Sequence, residues 1–261
     1  AMMVSVGALV DTLKTIDLLE ARGDLQYHGL KDELVATGRW ALDQFLGYHW
    51  NHRIGFAEYI HPVTKQPLAD EQGRLICDPG HAAEGVGFFA EYRSWLPARD
   101  RTVFRIRRDN MLPLLKEVLR FVDRHGYSPQ GVMYKNIDLV TRAGTADVIV
   151  GRRTWKTAPW WNLRECAAAA VRMYALTGDP HMWAIYRRAF NATYAHYINL
   201  NIGGLELQTL DAPTLRPLTF HSATGNLDPM HSPRAREREI EALEEIARAR
   251  VAVRLKGEHD A

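Results

Sequence analysis

Asp78-Pro79-Gly80-His81-Ala82-Ala83-Glu84-Gly85-Val86-Gly87-Phe88-Phe89-Ala90-Glu91 is the stretch whose reading decides the fold. Asp78 is a favoured N-cap residue, and Pro79 suits the first helical position. His81 then falls in the first turn, with Glu84 one turn later on the same face. The apolar run behind them predicts an anchored helix with an imidazole and a carboxylate at its mouth.

Working outward, helical periodicity recurs on both sides. A helix is predicted over 4–19, with Leu9, Leu13, Ile16 and Leu19 on one face and Gly23-Asp24 ending it. A second is predicted over 30–46, with Leu34, Trp40, Ala41 and Phe45 as its apolar side. A short strand over 54–60 and a hairpin-bearing loop over 64–73 lead to His81. Beyond it, helices are predicted over 111–122, 163–176, 182–197 and 233–255. A hairpin is expected to pair 132–140 with 146–152 around Arg142-Ala143-Gly144-Thr145, and a turn-rich hairpin covers 205–220. Asn162 with Glu165 reads as a capping box, and Ser232-Pro233 as another helix start. The unit of helix, hairpin loop and helix thus occurs three times, its second helix opening on His81, on Trp160/Trp161/Glu165 and on His231. Repeated helix pairs imply a solenoid or a closed ring. In a ring the inner helices share one direction, so these three starts converge on one mouth.

Composition bounds the rest. The 261 residues are 46% hydrophobic and 25% charged, ample for a large core. Thirty-three basic against 31 acidic side chains leave +2, without the clustered excess that nucleic-acid binding needs. Two cysteines, Cys77 and Cys166, provide no disulfide framework and no metal-type spacing. There is no basic leader at the N-terminus and no apolar run near the ~20 residues of a membrane helix, so a cytoplasmic setting is expected.

Histidines at helix starts suit proton transfer, because an unperturbed imidazole titrates near ~6.5. Two of them on opposite sides of one carbon could remove a proton alpha to a carbonyl and return one on the far face. Trp160 and Trp161 offer stacking surfaces for a sugar ring, and Glu165 could hold a hydroxyl. Each has a plainer reading: first-turn histidines are commonly solvated or capping, Glu84 can simply answer the helix dipole, Glu165 can simply close a capping box, and a Trp pair is more often core. His49, His52, Glu58 and His61 match no metal-ligand spacing and read as solvated loop histidines beside a strand carboxylate. The charges of the last helix read as a salt-bridged exposed face.

Several motifs occur in a fixed order: Pro79-Gly80-His81-Ala82-Ala83-Glu84; Lys156, then Trp160-Trp161-Asn162-Leu163-Arg164-Glu165; Thr177-Gly178-Asp179; Gly203-Gly204; and His231-Ser232-Pro233-Arg234. In this the chain resembles the N-acylglucosamine 2-epimerase family, with its cellobiose 2-epimerases and mannose-type aldose-ketose isomerases. The resemblance implies an all-α fold, an (α/α)6 barrel with short β-hairpin loops at the pocket mouth, and cofactor-independent, metal-free epimerisation or isomerisation at C2 of a small sugar. An N-acylglucosamine/N-acetylmannosamine-type substrate is the favoured one. By position, His81 and His231 match the two acid/base histidines, and Glu84 the carboxylate that orients the first. Trp161, Trp160 and Glu165 fall where the sugar is contacted. Glu58, Arg74 and Arg234 match recurring acidic and basic positions. Homodimers and, in some members, modulation by a nucleotide go with the family.

The departures are as specific. A barrel of six hairpins needs twelve helices, and about seven are legible here. The chain, one domain over 1–261, therefore reads as the C-terminal portion of such a barrel, or as a reduced member that closes its ring some other way, and its first helix is expected to expose an apolar face. The approach to His231, Gly225-Asn226-Leu227-Asp228-Pro229, is atypical, and the arginine-rich 96–110 reads as an insertion. Two other functions stand beside the isomerase: a carbohydrate-binding or scaffold protein that keeps the fold without the chemistry, and an (α/α) barrel glycoside hydrolase using Glu84 and Glu165 as its carboxylate pair.

Overall fold

The structure is a computed structural model that describes residues 2–96, 106, 108–199, 205–218 and 231–259. The Gly203-Gly204 turn, the 225–229 approach and most of the expected insertion lie outside the described residues. About 60% of the described residues are helical, in α1 (Met2–Ala21), α2 (His28–Gln44), α3 (Pro79–Tyr92), α4 (Arg108–His125), α5 (Trp160–Thr177), α6 (Pro180–His196) and α7 (His231–His259). The strands are two- and three-residue antiparallel pairs between loops. No helix among the described residues is long and apolar enough to cross a membrane.

The helix starts follow local chemistry. Asp78 caps α3, accepting from the backbone N–H groups of Gly80 (2.9 Å) and His81 (3.3 Å), with Pro79 at the first position. Asp179 and Pro180 repeat the device for α6. Gly178, at φ 64°, ends α5 in the left-handed region that suits glycine.

The centre is α5 against α3. Both are buried nearly all round. The run Cys166-Ala167-Ala168-Ala169-Ala170 presents so little side chain that a Cβ on Gly87 of α3 would lie 3.5 Å from that of Ala169. At the helix starts the approach is tighter: a Cβ on Gly80 would meet the Asn162 side chain at 2.4 Å. Glycine is needed there for room, since helices approach only as closely as their contact side chains allow. Cys77 and Cys166 are fully buried in this core, and burial raises both thiols, Cys166 up to about 12.

The chain corrects several sequence expectations. α1 buries Val6, Leu9, Val10, Leu13 and Ile16 against its neighbours and leaves Leu18 exposed, so its predicted face is covered. Trp40 of α2 is outward, 53% exposed, while Ala41, Leu42 and Phe45 face the core. The hairpin expected around 142–145 closes only as a tight turn, with Ile137 bridged to Gly144 and the Thr145 N–H on the Asn136 carbonyl at 2.9 Å, and does not extend to 146–152. On its other edge Ile137–Asp138 pairs with Ile76–Cys77, and a separate hairpin joins Val148–Val150 to Arg153–Trp155 around Gly151. Thr157–Pro159 pairs with Thr209–Asp211. The partners of 137–138 and 157–159 are distant in sequence, which turn signals cannot reveal. Asn162 is no cap: α5 starts at Trp160, and the buried Asn162 amide donates to the Tyr134 carbonyl at 2.9 Å and reaches Asp78. α7 is already helical at His231, one residue before the expected cap at Ser232. His49 is not solvated; its ring bonds the Ala57 carbonyl at 2.7 Å and stacks on Phe56.

The contacts fix the direction of the odd-numbered helices. The starts of α3, α5 and α7 meet at one end. At the other, Glu91 near the end of α3 faces Lys14 of α1 (3.2 Å), Arg238 of α7 (3.4 Å) and Arg172 of α5 (3.9 Å). Asp11–Arg238 (2.8 Å) and Lys14–Glu241 (3.0 Å) tie α1 directly to α7. Glu91, Arg172 and Arg238 are all buried. A buried charge that loses its partner is far costlier than a surface one, so Glu91→Gln is expected to lower unfolding stability by about 3 kcal/mol. Urea unfolding measures this, with Arg248→Gln, which breaks the exposed Glu244–Arg248 pair, as the surface control. A loss at Glu91 no larger than the control's, under about 1 kcal/mol, would mark the node as dispensable.

Candidate functional site

The loop and helix starts at the first end assemble two histidine–carboxylate pairs. His81 Nδ1 lies 2.8 Å from Glu58 Oε1 and 3.3 Å from Asp78 Oδ2. Glu58 is delivered by the segment after the Gly55–Phe56 strand and is fixed by its backbone N–H on the Ile76 carbonyl. His231 Nδ1 lies 2.9 Å from Oε1 of Glu165, in the second turn of α5. A carboxylate on Nδ1 selects the tautomer that leaves Nε2 as the exchanging nitrogen. Both imidazoles remain partly accessible, with side-chain exposures of 32% for His81 and 19% for His231.

Trp161 joins the two pairs. Its ring is 4.7 Å from His231 at 17°, a stacked contact, and 5.3 Å from His81 at 35°. The Lys135 ammonium sits 4.6 Å over the same ring and also pairs with Asp78. The indole is therefore packed among cations and imidazoles, not an open platform.

Arg234, one turn into α7, places one guanidinium nitrogen on both Glu165 (2.8 Å) and Glu84. Phe88 supports it from beneath, 4.8 Å away. Glu84, Glu165 and His231 offer ligand atoms within 4.8 Å of one another, a spacing that could hold a metal ion. Here Arg234 provides the cation between those carboxylates.

The electrostatics differ around the ring. Burial pulls His81 down, but the Glu58 hydrogen bond and the charges of Asp78 and Glu58 outweigh it, so the imidazole is raised. Burial likewise pushes Glu58 and Glu165 up, and their histidine and, for Glu165, arginine partners bring both below the ordinary carboxylate value. Glu84 ends raised, by burial and by the neighbouring Glu165 charge, despite Arg234.

Of the residues singled out in the sequence, His81, Glu58, Trp161, Glu165, His231, Arg234 and Glu84 come together. The hydrogen-bonded carboxylate of His81 is Glu58, while Glu84 lies on Arg234 and 3.9 Å from His231. Trp160 is buried in the apolar core. Arg74 is committed to Asp70 (2.7 Å), Gln72 and the Ala146 carbonyl, not to either histidine cluster. Asp78 acts as more than a cap. Sequence reasoning misses Lys135, because a lone lysine in a loop carries no pattern to read.

No family model matches the chain, and no curated protein matches it in sequence. Solved structures do. A sugar epimerase from a ruminal bacterium aligns with a TM-score of 0.60 at 13% identity, over 93% of this chain and 53% of its own. The cellobiose 2-epimerase of Spirochaeta thermophila aligns with a TM-score of 0.60 at 15% identity, over 88% and 51%. A D-mannose isomerase aligns with a TM-score of 0.57 at 14% identity, over 95% and 55%. The fold is thus that of these (α/α)6-barrel proteins, and the chain spans about half of their length.

The His81–Glu58 pair makes stability depend on pH in a defined window. The raised imidazole contributes fully below its unfolded value of 6.5 and less as pH rises through the folded value. The lowered carboxyl contributes above its unfolded 4.5 and is lost as pH falls through the folded value. The stability difference between the parent chain and Glu58→Gln is expected to peak between those two values and shrink on either side. Thermal unfolding across the range tests it; a difference that keeps growing above neutral pH contradicts the pairing.

Proposed function

We propose that the chain carries the acid/base apparatus of a cofactor-independent sugar 2-epimerase or aldose–ketose isomerase. One observation carries the reading: two imidazoles, each oriented by its own carboxylate, are held against a single indole at one helix mouth. The likeness in fold to sugar epimerases and a mannose isomerase supports it.

In this reading the open-chain sugar presents its carbonyl beside C2. One imidazole, neutral at Nε2, takes the C2 proton, and the electron pair moves into a cis-enediolate. The other, as imidazolium, returns a proton to the opposite face of C2 to give the epimer, or to C1, with the O2 hydroxyl proton passing to O1, to give the isomer. The first base leaves protonated and the second neutral, and solvent resets both. His81, with its raised imidazole, suits the protonated role. Glu58 and Glu165 hold ring orientation and offset the imidazolium charge. Arg234, between Glu84 and Glu165, keeps two adjacent carboxylates together and leaves Glu165 ionised for His231. An N-acylglucosamine/N-acetylmannosamine-type sugar is the proposed substrate, in one domain, with the cytoplasm as its setting.

The test is solvent deuterium incorporation at C2, followed across N-acetylglucosamine, mannose and cellobiose. His81→Ala and His231→Ala are each expected to lower exchange by about 10²–10⁴-fold with folding unchanged, the range of general acid–base catalysis. Full exchange in either variant removes that histidine from the mechanism. The second reading is binding of a sugar without chemistry. Saturable sugar binding with no isotope uptake would establish it.

A further inference from the structure

A cavity of about 390 Å³ opens where the loop after α2 meets α4, lined by residues of neither histidine pair. Its walls carry Arg53, Arg120, Arg124 and Arg142, with His52 and His125 between them. Glu117 is the single carboxylate among its lining residues. This is a local cationic excess in a chain whose overall charge is only +2.

The guanidinium groups are not equivalent. Arg120 is neutralised by Asp179 at 2.9 Å. Arg142 donates to backbone carbonyls, those of Ile54 (2.6 Å) and Arg53 (3.1 Å), and stands 5.2 Å from the Phe121 ring. It does so from a backbone φ of 61°, rare for a side chain of this size. Arg53 and Arg124 are exposed and have no carboxylate partner among the described residues. The positive field reaches His125, lowered by burial and then by Arg142 and Arg124. On the remaining side, Trp50 and Phe121 meet edge to face at 5.8 Å. Gly55, at φ 97°, lets the chain pass under them; a Cβ there would strike Phe121 at 2.3 Å. The result is a concave site whose lining combines guanidinium donors with two aromatic rings. Guanidinium forks match phosphate oxygens, and aromatic faces match a ring.

We propose that this cavity binds a small phosphorylated molecule, its phosphoryl group on Arg53, Arg124 and Arg142 and its body against Trp50 and Phe121. A concave site of this volume suits a small ligand over a nucleic-acid backbone.

The full chain is titrated calorimetrically with inorganic phosphate, with phenyl phosphate and with sodium chloride at matched ionic strength. Saturable binding is expected for both phosphates, tighter for phenyl phosphate, with no response to chloride beyond dilution. Because Arg53 and Arg124 are exposed, Arg53→Gln with Arg124→Gln should keep the thermal midpoint, and is expected to weaken phosphate binding about tenfold or more through loss of charge-assisted hydrogen bonds. Phosphate should also shift the His125 ring resonances of the parent chain, and less in the variant. Absence of saturable binding, or equal affinity in the variant, overturns the proposal. Stronger binding of a short oligonucleotide than of phenyl phosphate would overturn it in favour of a polyanion surface. Loss of sugar exchange at the histidine pairs would leave this result unaffected, since no residue is shared.

Discussion

The close approach of α3 to α5 is the constraint on which the rest depends. Two surfaces without bulk, Gly80 and Gly87 on one helix and the alanine run on the other, let the axes come together along their contact. That approach costs helix propensity at each glycine, about 1 kcal/mol apiece relative to alanine. In return it brings the first turns of both helices side by side. The functional side chains of α3 and α5 then start from neighbouring turns and share one mouth.

At the other end the same parallel arrangement gathers charge. Glu91 answers cations from three other helices, and α1 is tied to α7 by two further ion pairs. Such a node adds little net stability over an apolar core, since desolvation consumes most of the Coulomb gain. Its contribution is selectivity of assembly. A placement of the four helices that leaves one of its buried charges unanswered is penalised strongly. Polar specificity at one end and tight apolar contact in the middle together hold the histidine end in register.

The helical framework is legible because its signals are local. Asp78-Pro79 and Asp179-Pro180 are cap chemistry, and the 3.6-residue period of α1 and α4 survives without knowledge of neighbours. The convergence of three helix starts follows from repeat logic, and Glu58, His81, Glu165, His231 and Arg234 do meet. Pairing at a distance is what local signals do not carry. Ile137–Asp138 finds Ile76–Cys77 as well as its local turn, and Asn162 reads as a cap until α3 is placed against it. The assignment of Glu84 to His81 rests on one-turn spacing, which is true on the helix surface. It omits Glu58, whose loop arrives from outside that helix, and Arg234, which arrives from α7. Lys135 carries no periodic or motif signal, so its place over Trp161 could come only from three-dimensional packing.

The two cysteines have a consequence for experiment. Both thiols are sealed within the α3–α5 core and held in their protonated form, one beside the cap that starts α3 and the other midway along α5. An alkylating reagent can reach neither while that helix pair is closed. Their modification rate is thus a clock for opening of the central pair, and local fraying at the loops leaves it unmoved. Oxidants meeting the intact molecule would find the outward indole of Trp40 before either sulfhydryl.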